Sequence, residues 1–153
     1  MKDLDELTTW AGALVQTLDA RQRRALMRAV VTELRRRQTA RIAAQRNPDG
    51  SAYEPRKPQL RKKQGRLRRT MFARLRMART MKAQSDAGSA VVLFAGYAGN
   101  IAAVHQYGLR DRVNRKGNLE VRYARRELLG FAEGDVDRLA DMVLSHVVPR
   151  ETL

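Results

Sequence analysis

The sequence predicts an α+β fold: an N-terminal helical hairpin, a small antiparallel β-sheet and a C-terminal amphipathic helix. Three observations carry this. Apolar residues recur every three to four positions near both ends of the chain. Between them, Ala90-Val91-Val92-Leu93-Phe94-Ala95 is a β-rich run, with the turn sequence Asp86-Ala87-Gly88-Ser89 just before it. Proline and glycine cluster in the segment 47–65 and interrupt any helical period there.

The elements follow in order. Asp3 and Glu6 form a D-x-x-E capping box, and Leu4, Leu7, Ala11, Leu14 and Leu18 make the apolar stripe of a first helix. Asp19 is the predicted N-cap of a longer helix reaching about residue 46. Leu26, Val30 and Leu34, flanked by Met27 and Val31, form its stripe, while Arg23, Arg24, Arg28, Arg35 and Arg36 lie mostly off it. Asn47-Pro48-Asp49-Gly50 stops that helix with strong turn chemistry. Residues 47–65 then read as a loop, holding Pro48, Pro55 and Pro58. A third helix is expected after Gly65, with Leu67, Met71, Phe72 and Leu75 inward and Arg66, Arg68, Arg69, Arg74 and Arg76 outward. A strand around 79–83, the Asp86 turn and a strand over 90–95 form a β-hairpin. Residues 98–107 read as a short apolar helix ended by Gly108 in its C′ role. Two short extended pieces with a turn at Lys116-Gly117-Asn118 lead to the last helix, Asp135 to Val147. Its apolar face is Val136, Leu139, Ala140, Val143 and Val147, and Pro149 lies just beyond its end.

At 153 residues the chain is expected to form a single domain, with 1–46 as the hairpin, 47–65 as a basic arm and 66–153 as an α+β core. A chain of this length buries roughly two-thirds of its unfolded surface, enough for a core without disulfides or metals. Cysteine is absent, which fits a reducing cytosol and excludes a thiol nucleophile or thiolate zinc site. The acidic opening Met-Lys-Asp-Leu-Asp-Glu is not expected to act as a secretion signal, and the apolar runs are too short to span a bilayer.

The net charge of +15 is concentrated. Residues 34–82 hold 17 Lys and Arg against two acids, Asp49 and Glu54, and the rest of the chain is neutral. Such a segment meets something acidic or stays solvated. The candidate contact residues are Arg56, Lys57, Arg61, Lys62, Lys63, Arg66, Arg68 and Arg69. In one reading they bind DNA phosphates without sequence preference, with a salt slope of about −0.9 per phosphate contact. In the other, which is favoured, they dock on acidic surfaces of neighbouring proteins. Aromatic interleaving is sparse, only Phe72 in the tract and Tyr53 at its edge, and no helix-turn-helix or RNA-binding signature is present.

No enzyme chemistry is expected. The chain lacks G-x-S-x-G, G-x-x-x-x-G-K-[ST] and G-x-G-x-x-G, so neither a nucleophile elbow nor a phosphate-cradling loop is available. Of the two histidines, His105 reads as a packing residue at a helix end, donating to a backbone carbonyl, and His146 sits in a different helix. No cofactor or metal is implied.

The peptides Gln45-Arg46-Asn47-Pro48-Asp49-Gly50, Met71-Phe72-Ala73-Arg74-Leu75-Arg76 and Ile101-Ala102-Ala103-Val104-His105-Gln106-Tyr107-Gly108-Leu109-Arg110-Asp111-Arg112 recur in a familiar order. They are followed by Ala124-Arg125-Arg126-Glu127-Leu128-Leu129-Gly130-Phe131 and the terminal helix. The set, from about residue 36 to 147, resembles the phage virion morphogenesis (tail completion) proteins. The resemblance implies a non-enzymatic virion component acting at the head-proximal end of the tail, in the virion after assembly in the host cytoplasm. It implies a homohexameric ring as connector or tail terminator. The partners would be neck, connector and tail tube or sheath proteins, and genomic DNA in the lumen, with no membrane. The motif residues it singles out as structural are Asn47, Pro48, Gly50, His105, Gln106, Gly108, Arg125, Leu128, Leu129 and Gly130. The chain departs from that pattern where Phe131-Ala132-Glu133-Gly134 replaces a Ser or Thr cap, leaving Asp135 as the candidate cap, and where Tyr123-Ala124-Arg125-Arg126 lacks a proline.

Overall fold

The computed structural model describes residues 2–57, 70–113 and 118–148. It contains helices α1 (Lys2–Gln16), α2 (Ala20–Ala43), α3 (Tyr97–Tyr107) and α4 (Asp135–Val147). Its strands are β1 (Met81–Ser85), β2 (Ala90–Phe94), β3 (Arg110–Arg112) and β4 (Glu120–Arg122). They pair as two separate two-stranded sheets, β1 with β2 and β3 with β4. The mixture is the expected α+β class. The chain divides into two units, and α2 runs through both.

The first unit comprises residues 1–37, 82–93 and 131–153. Its core is Leu18, Leu26 and Val143, with Ala11, Leu14, Val15, Met27, Val30 and Val147 packed around them. Apart from Val15, these residues belong to the stripes read from the sequence, and α4 packs along α1. Each fully buried leucine contributes about 1.5–3 kcal/mol relative to exposure. The start of α2 is capped reciprocally. Gln22 N donates to Asp19 Oδ1 and Asp19 N donates to Gln22 Oε1, both at 2.8 Å. The Asp3 cap lies outside the described side chains.

The N-terminus of α4 differs from expectation. Gly134 is its N-cap, at φ 75°, and caps with no side chain. Asp135 is instead the first helical residue, 2% exposed. Its Oδ2 accepts from Ala132 N at 2.7 Å and its Oδ1 pairs with Arg37 Nε. The carboxylate is drawn back toward α2 because Arg37 offers a charged partner there. Glu33 gathers Arg36, Arg37 and Arg138 around one carboxylate, and the Arg36 hydrogen bond chiefly holds its pKa below the usual range. The outer part of the β1–β2 hairpin closes as read: Asp86 Oδ1 accepts from Gly88 N and Ser89 N.

The second unit comprises residues 38–81 and 94–130. Ile42, Tyr53, Met71, Leu75, Met81, Ala102 and Leu128 are its buried apolar side chains. α3 ends as predicted, with Gly108 at φ 64°, ψ 46° and its N–H bonded to Val104 O. β3 and β4 are antiparallel with Asp111 opposite Val121. Of the predicted turn between them, Lys116 and Gly117 lie outside the described residues.

The predicted third helix is not formed over its described part. Residues 70–80 are successive tight turns. Two features prevent a helix here. The side-chain amide of Gln45 takes both backbone groups of Met71, accepting from its N at 2.8 Å and donating to its O at 3.0 Å. Phe72 then sits at φ 63°, a left-handed conformation that no right-handed helix continues through. Thr80 Oγ1 lies within donating distance of the carbonyls of Arg74, Leu75 and Met77, and so helps tie these turns together. Leu67, Arg66, Arg68 and Arg69 lie outside the described residues.

Candidate functional site

The motif residues converge on segment 126–130 of the second unit, a segment that bends at Leu128 and Leu129. No strand pairs with this segment, yet every backbone N–H in it has a partner. Arg126 N donates to His105 O at 2.7 Å and Glu127 N to Asn47 Oδ1 at 2.9 Å. Leu128 N and Leu129 N both donate to Gln106 Oε1, at 2.7 and 3.0 Å. Gly130 N donates to Gln38 Oε1 at 3.2 Å.

The carbonyls of residues 127–130 are met in the same way. Arg41 donates to Glu127 O at 2.8 Å and Leu128 O at 2.9 Å, and Tyr53 OH donates to Glu127 O at 3.1 Å. Gln106 Nε2 reaches Leu129 O and Gln38 Nε2 reaches Gly130 O, both at 2.9 Å. Each glutamine amide thus both accepts from and donates to this backbone, as a peptide group would. This meets the requirement that buried backbone polar groups be paired.

The loop after α2 is shaped to deliver Asn47. Gln45 adopts φ 58°, and Tyr53 N donates to Gln45 O. Asn47 N bonds Ser51 O, Gly50 N bonds Asn47 O, and Asp49 Oδ1 accepts from Ser51 N, which makes a closed turn. Pro48 then packs against Gly130 so closely that a Cβ on Gly130 would lie 2.5 Å from Pro48 Cγ. Residues 47–55, the start of the predicted basic arm, are therefore fastened to their own chain. Gly108 abuts the backbone of Arg125, whose guanidinium is exposed and pairs with Glu127 at 2.9 Å. Leu128 is fully buried.

Among the described residues, the partner met by His105 Nδ1 is a cation rather than a carbonyl. Arg126 Nη1 lies 3.3 Å from its Nδ1, and a guanidinium only donates, so Nδ1 accepts and the ring proton belongs on Nε2. Phe72 and Tyr123 meet the ring edge-on, at centroid separations of 4.8 and 5.2 Å, and Tyr53 meets Phe72 at 5.8 Å. Burial, then the Arg126 and Arg56 charges, push the imidazole pKa down to about 4, so His105 is neutral at pH 7. Arg126 is itself buried and donates to Glu54 O at 2.7 Å and Pro55 O at 3.1 Å.

Beside this cluster opens a cavity of about 640 Å³ within the second unit. Met71, Phe72, Leu75, Ile101, Val121 and Tyr123 form its apolar lining, with His105 and Arg126 among the polar groups. Arg56 and Lys57, two of the candidate contact residues, are exposed and line it as well. Arg61, Lys62, Lys63, Arg66, Arg68 and Arg69 lie outside the described residues. Among the described residues, no group of three or more His, Asp or Glu could hold a metal ion.

The sequence does not single out Gln38 or Arg41, and it shows Tyr53 only as an aromatic at the edge of the basic tract and Arg126 only as part of a motif peptide, although all four complete the site. One signal was available for Gln38. It falls four residues after Leu34 and four before Ile42, on the buried face of α2, where an unexplained polar residue marks a hydrogen-bonding role.

No solved structure matches the chain. Tail completion protein S of Escherichia phage P2 is 38% identical over 136 residues, covering 88% of this chain and 90% of the relative. A match to the phage virion morphogenesis family extends over residues 2–148, the same span that supplies both units and every partner of the 126–130 segment. The chain belongs to the phage virion morphogenesis family.

Proposed function

We propose that this protein is a structural component of a tailed phage virion that completes the tail, and that it forms a homohexameric ring at the tail's head-proximal end as terminator or connector. The observation that carries the reading is the similarity to a tail completion protein over nearly the whole of both chains. Two structural features support it. The motif residues are spent on holding backbone, as suits a scaffold, rather than on presenting reactive groups. Tyr97, Tyr107, Leu109, Val113 and Leu119 in the second unit are exposed apolar side chains of the kind an assembling subunit covers. Arg56, Lys57 and the basic tract that follows serve as docking groups for acidic neck and tail surfaces. Among the described residues, no helix is long and apolar enough to cross a membrane.

The test is genetic and visual. A phage carrying a stop codon in this gene should yield filled heads and tails that fail to join, rescued by the gene supplied in trans. Normal infectious particles without the protein overturn the proposal. Particles that join but package no DNA would favour the nucleic-acid reading instead. A six-fold ring in negative-stain images of the purified protein, or of tail ends, tests the assembly state.

A further inference from the structure

The geometry points to the cavity of the second unit as a docking pocket for an acidic peptide segment of a partner virion protein, one that carries a large apolar side chain beside its carboxylates. The inference rests on the assembly role proposed above and names what that assembly grips. The apolar lining is unusual for a site whose accessible groups are cationic. Arg56, Lys57, Arg74 and Arg122 are exposed and line the cavity, and Glu54 is the one acid among its described lining residues. A volume of about 640 Å³ admits a few side chains, not a helix or a nucleic-acid duplex.

Charge argues for the occupant. Burial first, then the Arg126 and Arg56 charges, disfavours a proton on His105, and at Arg126 burial leads while Glu54 favours and Arg56 opposes the charge. The cations Arg56, Lys57, Arg74, Arg122 and Arg126 along the cavity outnumber Glu54, its one described acid, and repel one another. An entering carboxylate relieves that repulsion, whereas another cation adds to it. The chain's own neighbouring residues 58–69 are the wrong match on composition, with six Lys and Arg and no acid. The left-handed backbone of Phe72 is a second, independent sign. A bulky residue in that conformation is held at a cost that recurs at binding sites, and here it sets the ring in the cavity wall against His105.

The probe is a fluorescein-labelled peptide of sequence DEFDLE, measured by anisotropy against the full-length protein, with DEGDSE and KKFKLK as controls. DEFDLE should bind saturably, and each control should bind at least about tenfold more weakly, in line with loss of one of two contributions. Exposed Arg56→Glu with Lys57→Glu, which leaves the core untouched, should weaken DEFDLE at least about tenfold. Ile101→Trp, which fills the cavity, should abolish binding, with circular dichroism checking the fold. Equal binding of DEFDLE and either control overturns the proposal, as does absence of saturation or indifference to the double charge reversal. Trans-complementation separates the two levels. If the wild-type gene restores tails while DEFDLE fails to bind, the pocket is refuted and the tail role stands. If the wild-type gene restores nothing, the tail role itself fails.

Discussion

Gln106 offers the sharpest test of how the 126–130 segment is held. Its amide makes three hydrogen bonds to that backbone, at 2.7, 3.0 and 2.9 Å. Gln106→Leu keeps the side chain's approximate volume and leaves two N–H donors and one carbonyl unmet. An unsatisfied buried group costs about 1–3 kcal/mol, and partial exposure of this site lets water recover some of that. We expect about 2–4 kcal/mol of lost protection, expressed first as local opening. Hydrogen exchange at the Leu128 and Leu129 amides reads this directly, and it avoids assuming that both units unfold in one transition. Gln106→Glu should fall between wild type and Gln106→Leu, because a carboxylate accepts from both amides but opposes Leu129 O. Exchange rates in Gln106→Leu within threefold of wild type would refute the reasoning.

Gly130→Ala places a methyl against the rigid ring of Pro48, at a site that would leave 2.5 Å to Cγ, and should cost about 1–3 kcal/mol in urea unfolding. Wild-type stability in that variant would mean the loop and the segment do not touch as described. His105 gives a pH dependence. An unfolded imidazole takes a proton near pH 6.5, while the folded one refuses it until about pH 4. The unfolded state therefore binds more protons between those values, so stability rises with pH across that window and is level above it. His105→Phe should flatten the curve, and an NMR titration giving an ordinary histidine pKa would contradict the burial. Asp19→Ala breaks the reciprocal cap of α2 and should cost about 1 kcal/mol, seen as a lowered thermal midpoint.

Much of the fold was legible because its signals are local. The stripe of Leu14, Leu18, Leu26 and Val30, the Asp19 cap, the Asp86 turn and the Gly108 terminator all act within a few residues. The failure at residues 70–80 has the opposite cause. Met71, Phe72 and Leu75 carry a helical period, and what overrides it is Gln45, 26 residues away. The site was legible only in part for the same reason. Family resemblance picked out Asn47 and Gln106, but Gln38 and Arg41 meet their partners across 86 to 92 positions, and no local pattern encodes such a meeting.

Because Gln38, Arg41, Asn47 and Gln106 grasp main-chain atoms, they are blind to much of what residues 127 and 129 bear as side groups. Those two positions can drift in identity with little penalty, whereas inserting or deleting a single residue there would misalign every grip at once. Length, rather than lettering, is what this stretch must preserve.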